Sequence, residues 1–137
     1  MTSFAVDERL AGDCLLVGDA PLSRVLMIRD ARFPWLVLVP RRPHLVDWVD
    51  LGSGEVSVLD GEIRSAVAGL RAIQPFDKLN VASLGNMVRQ LHVHVVARRI
   101  GDAAWPKPVF GQGEPEAFAP GEAERRVAII RREMGLA

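Results

Sequence analysis

The chain has three histidines, His44, His92 and His94, and two of them fall in one run, Gln90-Leu91-His92-Val93-His94-Val95-Val96. The run alternates polar and apolar residues from Gln90 to Val95. Successive side chains of a strand point to opposite faces, and same-face neighbours lie ~6.5–7 Å apart. Leu91, Val93 and Val95 are therefore predicted to enter a core, while Gln90, His92 and His94 line the other face. Each buried imidazole needs hydrogen-bond partners, so packing alone does not select two of them side by side. Three readings are open: a polar strand face left in solvent, a zinc-type metal site, or nucleophilic catalysis by one imidazole oriented by its neighbours. The metal reading is short of ligands, because no Asp or Glu lies between Asp77 and Asp102 and His44 is the spare imidazole. An imidazole with its ordinary pKa of about 6.5 is neutral and nucleophilic at pH 7.

Other chemistries find less support. Cys14 is the single cysteine, which excludes an intramolecular disulfide and multi-cysteine zinc or iron–sulfur sites. It sits in an apolar run and reads as a buried, inert thiol. No Gly-rich phosphate loop is present, so kinase and ATPase classes have no basis. Seventeen basic residues balance seventeen acidic ones, and zero net charge argues against a nucleic-acid-binding protein. All the basic residues are Arg except Lys78 and Lys107. Arg forks suit phosphate, but Arg89, Arg98 and Arg99, which flank the histidine run, are read as solvated surface charges. Asp7, Glu8 and Arg9 stand where a signal peptide needs apolar residues. No apolar run approaches the ~20 residues of a membrane span. A soluble, cytoplasmic protein is expected.

The elements that must position the histidines can be read from pattern. The 137 residues suit one domain, and 49% apolar with 25% charged residues is globular composition. Leu15–Val17 and Leu22–Ile28 are strand candidates separated by the turn Gly18-Asp19-Ala20-Pro21. The continuous apolar run Trp35–Val39 reads as a strand covered on both faces or central in a sheet, ended by Pro40 and Pro43. Ser53 is expected to cap a helix starting near Glu55. Leu59, Ile63, Val67, Leu70 and Ile73 form its apolar stripe, and Pro75 closes the segment. Lys78–Leu84, a loop around Gly85-Asn86, and Gln90–Arg98 follow. Gly101–Pro120, rich in proline and glycine, is expected to be an extended, uncovered arm. A last helix, from about Gly121 to Met134, turns Ala123, Val127, Ile130 and Met134 inward, with Glu122 and Glu124 early and Arg131 and Arg132 late as the dipole prefers. The order implies an α+β domain, a mostly antiparallel sheet packed by one main helix, with a C-terminal helix added.

These residues also carry a family likeness. Gln90-Leu91-His92-Val93-His94-Val95-Val96 resembles the histidine triad (HIT) signature His-φ-His-φ-His-φ-φ, φ being apolar, with Gln90 at the first histidine position. Leu36–His44 is similar to the family's strand ending in Pro, two basic residues and a His, and Trp105-Pro106-Lys107-Pro108 resembles a Trp-Pro segment of one branch. The resemblance spans roughly Leu15 to Phe110. It implies a HIT-like fold, a homodimer, and hydrolysis or transfer of nucleotides at an α-phosphate without a cofactor. His92 corresponds to the nucleophilic central histidine, His94 to the third, and Gln90 to the first, where an amide orients a ring without titrating. Met87 stands where many relatives have Ser or Thr. The resemblance implies phosphate contact for Asn86 and ribose contact for Asp30. Asn80 is expected to face the site by parity, and Trp105 to stack on a base or pack the arm. The implied partner is a purine nucleoside phosphate, such as a nucleoside phosphoramidate or a dinucleoside polyphosphate. The alternatives are a non-catalytic nucleotide-binding protein of the same fold and a His-based metal hydrolase.

Overall fold

A computed structural model describes residues 4–136. It opens with a short helix that the sequence pattern did not announce, α1 (Glu8–Asp13), whose first turn is capped by the Asp7 carboxylate accepting from the Arg9 N–H at 2.9 Å. The strands β1 (Cys14–Asp19), β2 (Ser23–Ile28) and β3 (Trp35–Pro40) then form an antiparallel meander. A bulge between Leu16 and Gly18 leaves Val17 without a cross-strand partner. Helix α2 (Ser53–Ile73) crosses the sheet before β4 (Lys78–Ala82) and β5 (Val93–Arg98) complete it, and α3 (Glu122–Met134) closes the chain. The expected N-cap shifts by one residue: Gly52 caps α2, and its N–H donates to the Glu55 carboxylate at 3.2 Å, while Ser53 is already helical.

The five strands run in the order β1-β2-β3-β5-β4, every adjacent pair antiparallel. This is the mixed α+β architecture expected from the order of elements. β3 holds the centre with all its residues buried, which is why its sequence lacks alternation.

The sheet separates two apolar clusters. On one face Leu36, Leu38, Leu91, Val93 and Val95 meet Leu59, Ala66 and Leu70 of α2 and Ile130 of α3. Ile63, Val67 and Ile73 of the expected stripe pack at the margin of that cluster, as do Ala123, Val127 and Met134. A buried carboxylate ties helix to sheet: Glu62 accepts from the Leu22 N–H at 2.6 Å and the Ser23 N–H at 3.1 Å. On the other face Trp35, Val37, Val39 and Val96 are covered by Leu10 from α1 and by Ala104 and Val109 from the 101–120 segment. That segment has no regular structure, as expected, but the prediction that it is uncovered is corrected. It lies on its own sheet, where the Ala31 N–H donates to the Glu116 carbonyl at 2.8 Å and Arg32 donates to the Gln112 carbonyl at 2.7 Å. Among the described residues no helix is long and apolar enough to cross a membrane.

Candidate active site

The alternation read from the sequence places the histidines. Leu91, Val93 and Val95 enter the helix-side core, and His92 and His94 emerge on the opposite face, beneath the cover of α1 and the 101–120 segment. The regular strand starts only at Val93, and His94 pairs with Val37 of the central strand. Both rings are nevertheless buried, at 6% and 7% exposure, so neither is a solvated polar face.

Each ring has its tautomer set by one hydrogen bond. His92 Nδ1 lies 2.7 Å from the backbone carbonyl of Gln90. A carbonyl only accepts, so Nδ1 carries the proton and Nε2 keeps a lone pair. His94 has the reverse arrangement: its Nδ1 accepts from the indole N–H of Trp35 at 3.0 Å. Neutral His94 therefore holds its proton on Nε2. Burial, with the nearby His92 second, pushes the His94 pKa down to about 4, so this ring is uncharged at neutral pH. The two rings stand edge to face with centroids 5.0 Å apart, and Phe110 packs edge-on against His94 at 4.8 Å.

His92 and His94 line a cavity of about 430 Å³, walled by Leu10, Ile28, Trp35, Leu84, Val88 and Phe110, with Asn86 and Met87 at its lip. This is within the range of small-molecule sites, roughly 300–1,000 Å³. Asp13 is the sole charged residue lining it. Asp13, Ile28 and Trp35 also line a second cavity of about 390 Å³, bordered by Arg29, Asp30, Arg32 and Gln112. Two adjoining hollows thus lead away from the histidines along one face of the sheet.

Of the residues singled out by sequence, the structure brings His92, His94 and Asn86 to one cavity. Gln90 departs from expectation. Its side-chain amide does not touch a histidine; Oε1 accepts from the Asp7 N–H and Nε2 donates to the Ala5 carbonyl, each at 2.8 Å. Only its backbone carbonyl orients His92. Asp30 borders the second cavity, but its carboxylate is occupied by the Arg32 guanidinium at 2.9 Å and by the backbone N–H groups of Arg32 and Glu116. Burial alone would raise its pKa, and those hydrogen bonds outweigh burial to hold it below the usual carboxylate value.

Asn80, Trp105 and Arg98 form a separate group. Arg98, expected at the surface, is 1% exposed. It forks onto Asp102 at 2.8 and 2.9 Å and donates to the Asn80 side-chain carbonyl at 3.0 Å. Its guanidinium lies between the Phe33 and Trp105 rings, 5.6 Å from each centroid. Arg98 holds the Asp102 pKa down to about 2. Asn80 and Trp105 line neither hollow; they hold the start of the 101–120 segment, whose far end brings Phe110 to His94. His44, the spare imidazole of the metal reading, is exposed in a left-handed backbone conformation, φ 64°. Among the described residues no group of three His, Cys, Asp or Glu could hold a metal ion. Cys14 is buried, and burial pushes its thiol up to about 12, as an inert thiol requires.

Sequence reasoning missed Trp35, Phe110, Leu10 and Asp13 as site residues. Trp35 had one usable signal, since a buried indole N–H needs an acceptor and the neighbouring polar strand face offers one.

A HIT domain family model matches residues 10–101. Among solved structures the chain is similar to a histidine triad protein from Bradyrhizobium japonicum, at 46% identity over 97% of this chain and 99% of that one, TM-score 0.93. A histidine triad (HIT) protein from Sinorhizobium meliloti is 39% identical over 95% of this chain and 96% of that one, TM-score 0.90. A histidine triad protein from Marinobacter aquaeolei is 35% identical over 99% of this chain and 100% of that one, TM-score 0.92. No curated protein matches.

Proposed function

Starting from the fact that the chain belongs to the HIT domain family, we propose that it is a nucleotide hydrolase or nucleotidyl transferase that works at an α-phosphate through a covalent nucleotidyl-His92. The single observation that carries this reading is the His92 ring, whose Nδ1 is committed to the Gln90 carbonyl at 2.7 Å. That bond leaves the Nε2 lone pair as the nucleophile and stabilises the positive charge the ring acquires on forming the N–P bond. As Nε2 bonds to phosphorus, the bond to the leaving group breaks, and that group departs with the electron pair and takes a proton from water. The hydroxide so formed attacks phosphorus, breaks the N–P bond and returns the ring to neutrality. His94 stays uncharged and offers its Nε2–H to a phosphoryl oxygen as a hydrogen-bond donor rather than as an acid. Asn86 at the lip contacts the phosphate, and the second hollow, beside Asp30, takes the nucleoside, with a purine as the expected base.

The charge of the cavity favours one leaving-group class. Neither Lys nor Arg lines the hollow at His92, which suits a nucleoside phosphoramidate with its single α-phosphate. A dinucleoside polyphosphate concentrates several negative charges there and needs cations to offset them. The experiment is turnover of an adenosine phosphoramidate and of a diadenosine polyphosphate by the purified protein. Faster release of AMP from the phosphoramidate is expected. AMP binding with no turnover of either would replace the enzyme reading with that of a non-catalytic nucleotide-binding protein.

A homodimer belongs to the same proposal. Its support is the open edge of β4, where Val81 is 47% exposed, beside a shallow hollow in which Ile63, Val67 and Leu79 are joined by Asp60 and Arg64. An unpaired strand edge next to apolar surface invites twofold pairing. Sedimentation should find a species of twice the 15.0 kDa chain mass, and a persistent monomer at micromolar concentration counts against it.

A further inference from the structure

Gln90 and the N-terminal segment form a unit that attack by His92 leaves unexplained. One side-chain amide satisfies the Asp7 N–H and the Ala5 carbonyl, both at 2.8 Å. It thereby pairs with two alternate backbone positions much as a neighbouring strand would. A carboxamide presents its donor and its acceptor side by side, whereas the two nitrogens of an imidazole diverge and cannot meet both backbone groups. Arg9 adds a second tie, Nη1 donating to the Met87 carbonyl at 3.3 Å. Around these ties Phe4 and Val6 pack on the apolar cluster that contains Trp35, and Leu10 is buried within it. The segment so held presents Leu10 and Asp13 to the histidine cavity, and Asp13 to the adjoining one as well.

We propose that Gln90 is a positioning residue whose amide clasps the Ala5–Asp7 backbone and so holds the N-terminal segment as one wall of the ligand site. That wall sets substrate affinity through Leu10 and Asp13. The identity of the ligand rests on the proposed function, but the clasp is read independently of any reaction. The amide serves the wall and not the imidazole, so its loss falls on binding and not on the chemical step.

The test uses the full chain with Gln90→Leu. Hydrogen exchange at the Asp7 amide is expected to accelerate about tenfold, the worth of one neutral hydrogen bond. The calorimetric Kd for AMP and the KM for an adenosine phosphoramidate are expected to rise about tenfold, while kcat stays within about twofold. The pH dependence of kcat does not move. Asp7→Pro removes the clasped N–H from the other side, and the Asp7 φ of −51° accepts proline. Asp7→Ala keeps the N–H and controls for the lost α1 cap. Gln90→Leu added to Asp7→Pro should raise Kd no further, because both remove the same clasp.

Unchanged exchange, or faster exchange with an unchanged Kd, overturns the proposal. So does a fall in kcat with a shifted pH profile, which would return Gln90 to the service of the ring. Exchange and AMP binding need no turnover, so failure of the clasp and failure of the hydrolase reading are told apart.

Discussion

His94 is held neutral by its surroundings, and stability should record this as the pH falls. Its pKa stands at about 4 against the ordinary 6.5, through burial first and the neighbouring His92 second. In the unfolded chain the ring takes up its proton near pH 6.5, and in the native state only near pH 4. Between those values the unfolded state binds more protons, so stability falls as the pH drops through the window and is complete above it. At 1.36 kcal/mol per pH unit for one proton, the loss accumulates to roughly 3 kcal/mol by pH 4. Asp102, with a pKa near 2 set by Arg98, has a folded value below the usual carboxylate range. Its contribution is lost at lower pH and does not mimic the effect. The assay is urea unfolding at several pH values from 7.5 to 4.5 for the parent and for His94→Asn, whose side-chain carbonyl can still accept from the Trp35 N–H. The parent should lose about one proton's worth of stability per pH unit more than the variant. Parallel curves would refute the reasoning, because His94 would then titrate alike in the folded and unfolded chains.

Two further substitutions probe the contacts around this ring and beneath the 101–120 segment. Trp35→Phe keeps an aromatic ring but removes the donor to His94 Nδ1, leaving a buried acceptor unpaired at a cost of ~1–3 kcal/mol, readable by denaturant melts at pH 7. A melt matching the parent would mean that the indole bond contributes nothing. Asp102→Asn strips the counter-charge from Arg98, whose guanidinium is almost wholly buried, and a broken buried pair costs roughly 3–5 kcal/mol. The melting temperature should fall sharply, and an unchanged value would place Arg98 in contact with water.

The sequence made the core legible wherever a period was clean. Strict alternation from Gln90 to Val95 separated Leu91, Val93 and Val95 from the two imidazoles, and the unbroken Trp35–Val39 run marked the central strand because only a strand covered on both faces tolerates it. The inward face of α3 followed from spacings of three and four, whereas on α2 the stripe was only half right. Leu59 and Leu70 are buried, but the buried face runs through Glu62, Ala66 and Gly69, small or hydrogen-bonded residues that an apolar count passes over. Ile63, Val67 and Ile73 lie at its margin. What stayed hidden depends on where irregular chain comes to rest. Nothing periodic tells that the 101–120 segment folds back to put Phe110 on His94, or that α1, six residues long, supplies a wall of the cavity. Arg98 resembles a surface charge until Asp102, Asn80, Phe33 and Trp105 are seen around it, and burial of a cation is decided by partners that composition does not reveal. Gln90 was found by its position in the motif. Its side chain points elsewhere because the partners that can satisfy both ends of an amide are backbone groups more than eighty residues away.

The claim that His92 is the covalent nucleophile has one direct measurement. Rapid quench of the protein with a slowly released adenosine phosphoramidate, followed by mass spectrometry of its peptides, should find the nucleotidyl group on His92. In parallel, His92→Ala should lose turnover while keeping AMP affinity within roughly tenfold, because the loss falls on the chemical step. An adduct on His94, or undiminished turnover by His92→Ala, would contradict the account.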